Sequence, residues 1–417
     1  MPAGPASRSI AAMRQDHTPS SSADALIVGA GPAGLALATG LAQAGIRAIV
    51  FDRQPLEALQ DPPDDGREIA VTHRARRVME GLGLWARLPA GEVSALRNAN
   101  VLNGDGATTL RFSSGRAGTD PLGWLVPNRH IRRAAYECAL QADAVHLCCD
   151  VKVEALVFER DGACVRLEDG RLFRSPLVVA ADGRLSSTRR AAGIGASMRD
   201  FGRTAIVGRL VHEIDHDGVA WEHFRHGNTL ALLPLAGRQV SAVVTVPADE
   251  APRWLALEDR EFAAEIFAQA GGRLGRMNAA GPRFNYPLVG VVAHAFVGPR
   301  LALVGDAAIG MHPVTAHGWN LGLYGVEVLV RELAAVRGRD PGAALRRYER
   351  AHRRAALPVY AATNAIVGLF TDDRPAARLA RRAVLAAAQH LPPVSGWIKA
   401  LVGHQLTADD AAAVQRA

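Results

Sequence analysis

The chain has 417 residues, enough for two or three ordinary domains, with 49% hydrophobic and 21% charged residues, a composition that builds a core and excludes general disorder. Lys plus Arg number 48 against 41 Asp plus Glu, a formal charge of +7 carried mostly by arginine; no aromatic-interleaved basic patch, zinc spacing or helix-turn-helix pattern accompanies it, so no nucleic-acid partner and no metal are expected. No apolar run reaches the ~18 residues of a membrane span, and Cys138, Cys148, Cys149 and Cys164 form no Cys-x-x-Cys pair, which points to a reduced, cytoplasmic protein.

Residues 1–23, rich in Pro, Ala and Ser, read as a disordered leader rather than a secretion signal. Ala25-Leu26-Ile27-Val28 is a buried strand. Residues 32–44 are helical in composition and end at Gly45, and Arg47–Phe51 is a second strand closing on Asp52: a βαβ unit. Residues 67–90 read as helical with interruptions at Gly81 and Gly83, and Arg129–Gln141 as an amphipathic helix. From Val151 to Val179 short strands alternate with Asp-Gly turns at 161–162 and 169–170, and strands continue over 203–247. Leu301–Val304 is another buried strand. From Gly318 onward the chain is mostly helical, with breaks expected at Asp340-Pro341, Pro358 and Pro392-Pro393.

Gly29-Ala30-Gly31-Pro32-Ala33-Gly34 is a G-x-G-x-x-G stretch between the first strand and the first helix. Gly29 permits the tight turn, Gly31 lets backbone approach a pyrophosphate, and Gly34 lets helix pack on strand. The helix N-terminus adds N–H groups and a positive dipole end. Asp52 stands where a carboxylate accepts ribose hydroxyls, with Arg53 beside it; a solvated strand-end Asp is the bland alternative. The motif alone does not separate FAD from NAD.

Two further stretches follow buried strands: Val178-Val179-Ala180-Ala181-Asp182-Gly183-Arg184, and Leu303-Val304-Gly305-Asp306-Ala307-Ala308, which continues Met311-His312-Pro313 to Ala316-His317-Gly318-Trp319-Asn320-Leu321-Gly322. In this order the three resemble the aromatic-ring flavin monooxygenases typified by para-hydroxybenzoate hydroxylase. The strings Asp65–Val71, Leu82-Gly83-Leu84-Trp85, Tyr286-Pro287-Leu288, Phe296–Arg300 and Leu345–Arg350 resemble the ubiquinone-biosynthesis hydroxylases more narrowly. That group usually has His at 309 and Gly-Gln-Gly at 316–318. This chain has Ile309 and Ala316-His317-Gly318, and its Gly305–Gly322 string looks most like the 5-demethoxyubiquinol 5-hydroxylase branch.

The resemblance implies an α/β fold: a Rossmann-like FAD-binding domain with an interleaved β-sheet substrate domain and C-terminal helices. We divide the chain into a leader (1–23), a discontinuous FAD-binding domain (24–75, 100–190, 275–335), a substrate-binding sheet domain (76–99, 191–274) and a helical region (336–417). It also implies FAD, with NADPH, NADH or another donor as reductant. O2 would be activated as a flavin C4a-hydroperoxide, and a polyprenylated phenol hydroxylated, C5 being the leading position. By the same resemblance Gly29, Gly31, Gly34 and Asp52 hold the adenosine half, Asp182 and Gly183 lie near the pyrophosphate, and Gly305 and Asp306 take the ribityl chain. Arg67 matches an arginine contacting FAD in relatives; Asn128 and Arg129 are further cofactor candidates. Pro313, Gly318, Trp319 and Asn320 should pass the flavin ring, although Asn320 can equally cap a helix and Trp319 pack. His312 and His317 are the loop side chains suited to proton transfer near neutrality, and either can instead be a structural loop histidine. Phe201, Trp221, Phe224 and Leu232 are pocket-lining candidates or plain core.

A polyprenylated substrate implies a multi-enzyme ubiquinone-biosynthesis complex or peripheral contact with the inner face of the cytoplasmic membrane, for which Arg378, Arg381 and Arg382 are candidates. A solvated helix face explains those arginines as well. The rivals are a hydroxylase of small soluble phenols, a halogenase or polyprenyl reductase of the same fold, and a non-catalytic FAD-binding scaffold. A halogenase typically carries Trp-x-Trp-x-Ile-Pro, which the chain lacks.

Overall fold

The computed structural model describes residues 23–371, apart from 104–108, 114–120, 225–226 and 313–316. Every residue of the Ala25–Val28 strand is buried, as in a parallel sheet covered on both faces. It pairs in parallel with Ala48–Phe51 and Val178–Ala180. The sheet has six strands, in the order Val297–Gly298, Leu301–Leu303, Val178–Ala180, Ala25–Val28, Ala48–Phe51, Val145–Cys148. The Pro32–Gln43 helix starts at Gly31 with proline in its first turn, where the missing N–H costs nothing, and packs on the Asn128–Gln141 and Gly318–Ala334 helices.

A larger, mainly antiparallel sheet lies beside this layer. Its strands run in the order Ile309–Gly310, Phe284–Ala293, Ala196–His212, Gln239–Pro247, Thr229–Pro234, Val219–Phe224, Asn98–Asn103, Thr109–Ser113, with Met277–Ala279 also on Ala196–His212. One face, carrying Ile206, Leu232 and Val244, is sealed by Trp254, Phe262 and Ile266 of two helices, Ala251–Ala256 and Asp259–Ala270. The other face turns toward the parallel-sheet half. There Arg209 meets Glu68 at 2.8 Å and Asp64 at 3.5 Å, and the Tyr286 hydroxyl donates to the Asp65 carbonyl.

The structure departs from the sequence expectations in three places. Glu68–Val71 is a strand paired with Gly123–Pro127, and the helix starts only at His73, capped by Thr72, whose hydroxyl accepts the Ala75 N–H. Helix-forming Arg, Glu and Ala outweighed a short β-branched run there, a tertiary override of local preference. Asn98–Asn103 and Phe284–Ala293 sit in the large sheet, although our division placed residues 100–190 and 275–335 with the cofactor; strand pairing across the chain recruits them. The Gly342–Thr371 helix continues through Pro358 without a break; burial of Ala356 and Val359 in the main core holds it despite the lost N–H. Of the two readings offered for Trp221 and Leu232, the structure gives plain core: they pack together on the helix-covered face of the large sheet. The four cysteines are free. Among the described residues no helix is long and apolar enough to cross a membrane; Arg378, Arg381 and Arg382 lie outside them.

Candidate active site

The three loops singled out in the sequence meet at one end of the parallel sheet. Gly29 has φ +110, and a Cβ there would fall 2.5 Å from the Ala181 carbonyl oxygen and 2.8 Å from the Asp182 nitrogen. Only glycine lets the Asp-Gly loop pack on the first turn. A Cβ on Gly305 would lie 3.0 Å from the Ala33 Cβ, and one on Gly322 would lie 3.4 Å from the Gly305 Cα, so the third loop closes on the same helix start. A Cβ at Gly31 would meet nothing within 4 Å. The first turn of the Pro32–Gln43 helix has no acidic residue and no side-chain cap. Its backbone N–H groups therefore border open space, the arrangement that receives a phosphate.

Polar side chains stiffen this edge. Asp52 accepts the Ala30 N–H at 2.5 Å and the Gln54 N–H at 2.8 Å, which fixes the glycine turn and leaves lone pairs for a ribose. Arg53 next to it is exposed. Asp182 accepts from the Ser186 hydroxyl, from the Ser187 hydroxyl at 3.2 Å and from the Thr188 N–H at 3.0 Å. Its carboxylate thus organises its own loop, in which Gly183 adopts φ +82. Arg184 meets Asp306 at 3.3 Å. Buried Arg189 donates to the Ala307 carbonyl at 2.9 Å and the Arg184 carbonyl at 3.2 Å, stapling the second loop to the third.

Asp65 gathers the side chains expected around the cofactor's middle. It pairs with half-exposed Arg67 at 2.6 Å and accepts the Asn128 amide at 2.7 Å; Arg67 also lies over the Tyr286 ring at 5.3 Å. Those bonds hold the Asp65 carboxyl below the usual carboxylate range against the opposing effect of burial. Arg129 has a buried Nε without a hydrogen-bond partner. An orphaned guanidinium nitrogen, an open glycine cradle and a half-exposed Asp306 are together what an anionic dinucleotide with a polyol chain requires, so these residues fit FAD.

The flavin-loop residues divide. His312 is 5% exposed, edge-on to Phe201 with centroids 4.8 Å apart, and burial, aided by Arg203 and Arg184, pushes its pKa down to about 4. It is neutral and weakly basic at pH 7, which corrects the expectation that it titrates near neutrality. His317 is buried immediately before the Gly318–Ala334 helix. Asn320 accepts the Thr72 N–H at 3.0 Å and donates to the Ala70 carbonyl at 2.8 Å, tying two segments together. A Cβ on Gly318 would meet nothing within 4 Å. Trp319 packs on the main core with its Nε1 buried and without an acceptor. Pro313 lies outside the described residues.

Sequence reading missed Asp65, Arg184 and Arg189. The arginines stood within or just after a recognised motif and went unassigned.

A parallel sheet carrying a glycine cradle, with two Asp loops closing on it and a large sheet beside it, defines a dinucleotide-binding flavoprotein of the monooxygenase fold. Residues 22–363 match the family described as FAD binding domain. A solved structure of a Klebsiella pneumoniae HpxO variant complexed with FAD superposes with a TM-score of 0.70 at 20% identity, covering 91% of this chain and 99% of that one, a likeness of fold. The chain is similar to ubiquinone hydroxylase UbiM of Neisseria meningitidis, 43% identical over 392 residues, 92% of this chain and 84% of that protein. It is also similar to ubiquinone hydroxylase UbiL of Rhodospirillum rubrum, 39% identical over 376 residues, 89% and 87% of the two. The chain belongs to the FAD-dependent monooxygenases, in the branch of the ubiquinone-biosynthesis hydroxylases. A pyridine nucleotide is the reductant typical of that family.

Proposed function

We propose that this enzyme inserts one oxygen atom from O2 into the aromatic ring of a polyprenylated ubiquinone precursor, at ring carbon C5. The observation carrying the reading is the meeting of the three loops at one sheet edge beside the interior face of the large sheet. The 43% identity to a protein named a ubiquinone hydroxylase supports the substrate class, and the Gly305–Gly322 string supports the ring position.

FAD, when bound and reduced, supplies the activation of O2. The chain's residues do the rest. The first-turn N–H groups of the Pro32–Gln43 helix hold the pyrophosphate and Asp52 the ribose, with Arg67 and Arg129 adding positive charge. Asp306 accepts from the ribityl chain while Arg184 fixes its carboxylate. The positive end of the Gly318–Ala334 helix suits the negative charge of a reduced ring. His312, kept neutral, adds no charge to the oxygen-activating space. Catalysis rests on orientation and water exclusion between the loops and the large sheet. A polyprenyl tail resides in lipid, so delivery from the inner face of the membrane or from a biosynthetic complex belongs to this proposal.

The test is expression in a bacterial strain lacking its C5 ring hydroxylase, with quinones extracted and weighed by mass. Restored ubiquinone supports the reading. Persistent demethoxy precursor beside soluble, flavin-loaded protein removes the C5 assignment; turnover of small soluble phenols alone moves the enzyme to that class.

A further inference from the structure

The large sheet carries a carboxyl that the cofactor site does not use. Glu222 pairs across the sheet with Val101 on one side and Ala231 on the other; Ala231 in turn pairs with Val243, and Val243 with Val207. This row lies on the face opposite the sealed one. Along the sealed face Leu230, Leu232, Ala242 and Val244 are at most 3% exposed. Along the Glu222 face Val101, Ala231, Val243 and Glu222 itself are all partly accessible. The same face carries Arg209, which reaches Asp64 and Glu68, and Tyr286, which bonds Asp65; it also carries Arg203, close enough to His312 to help depress its pKa. The face therefore looks onto the flavin loop, and its accessible stretch is an apolar strip with one carboxyl in it.

We propose that Glu222, in its protonated form, donates a hydrogen bond to a ring oxygen of the substrate and so orients the ring for hydroxylation. Glu222 lies deep in the molecule yet keeps an accessible surface, the combination expected of a side chain lining an internal cavity rather than one locked in core. Burial pushes its carboxyl up to about 8. A neutral carboxylic acid at pH 7 offers one O–H donor and acceptor capacity to a phenol or methoxy oxygen, a polar handle set among Val101, Ala231 and Val243. Among the described residues the ionisable side chains on its face are Arg203, Arg209 and Tyr286, each at least two registers away, and from the Gly342–Thr371 helix Ile366 and Leu369 pack on neighbouring Phe224. None of these holds Glu222.

The proposal rests on the hydroxylase reading, and its test separates the two. Holoenzyme is assayed with a panel of a short-chain prenylated methoxyphenol and small soluble phenols, recording pyridine-nucleotide oxidation, hydroxylated product per reductant consumed, and KM. Glu222→Gln keeps a donor of the same shape and should stay within about threefold of wild type in KM and coupling, whereas Glu222→Leu should raise KM or lower coupling by about tenfold, the worth of a lost hydrogen bond. Both should hold FAD at wild-type occupancy. Wild-type KM should rise above pH 8 as the donor ionises, and the Gln variant should not follow. Wild-type KM and coupling in a FAD-loaded Leu variant would overturn the proposal, as would a Gln variant as impaired as Leu. Wild-type turnover confined to small phenols would strike the polyprenyl substrate reading, and the Leu-to-Gln comparison on those phenols would still decide Glu222.

Discussion

Gly29 and Gly31 stand two residues apart in one motif, and the structure gives them opposite duties. At Gly29, alanine would place Cβ 2.5 Å from the Ala181 oxygen at φ +110, a combination of backbone strain and overlap with main chain that cannot move aside. Strain of ~1–3 kcal/mol and overpacking of similar size put the expected loss of stability of the cofactor-free protein at about 2–6 kcal/mol. At Gly31, φ is −65 and a Cβ meets nothing within 4 Å. Gly31→Ala should leave cofactor-free stability within about 0.5 kcal/mol of wild type. Its methyl group instead enters the space where a phosphate would approach, so FAD affinity should fall at least about tenfold, or ~1.4 kcal/mol. Urea unfolding of the deflavinated proteins reads the first quantity, and fluorescence quenching of added FAD the second. The reasoning fails if Gly31→Ala binds FAD like wild type, or if Gly29→Ala unfolds at the wild-type midpoint.

Two other substitutions follow from the same site. Asp306→Ala removes a pair with Arg184 whose side chains are 33–40% exposed, so cofactor-free stability should change by no more than ~1 kcal/mol while FAD binding weakens by about 1.5–3 kcal/mol; equal affinity for FAD would remove Asp306 from the ribityl site. His312 has a folded pKa pushed down to about 4 from an ordinary value near 6.5, so the stability it contributes is complete above pH 6.5 and is lost as pH falls toward 4. Glu222 has the opposite sign, its contribution fading as pH rises from about 4.5 toward 8. The two slopes overlap, so single variants are needed: His312→Gln should be less sensitive than wild type to acidification from pH 6.5 to 4 by roughly 1–3 kcal/mol in urea titrations. Parallel pH curves for the two proteins would show that His312 is solvated and titrates normally.

The glycine turn, the Asp-Gly loop and the Gly-Asp loop were readable in the sequence because each is a backbone constraint written in residue type. A φ of +110 and an approach of 2.5 Å admit only Gly29, and that requirement survives any surroundings. What Asp182 and Asn320 bond to was not readable. Both carry chemistry suited to a ligand, yet Asp182 turns to its own serines and Asn320 to the backbone of a strand nearly 250 residues away. The titration of His312 depended on burial, beside Phe201, and then on two arginines from different segments. Glu222 was hidden for a related reason. Strand alternation shows that Ala220, Glu222 and Phe224 share a face, but only the register of six paired strands shows that this face is interior.

The most direct measurement of the account is product mass under 18O2. Purified holoenzyme, a pyridine nucleotide and a short-chain prenylated methoxyphenol are mixed, and the extracted product is weighed. Ring hydroxylation by a FAD monooxygenase predicts a product carrying one 18O atom, formed only when FAD, reductant and O2 are all present. Reductant consumption with peroxide alone across the phenol panel, or a product whose added oxygen derives from water, would contradict the account.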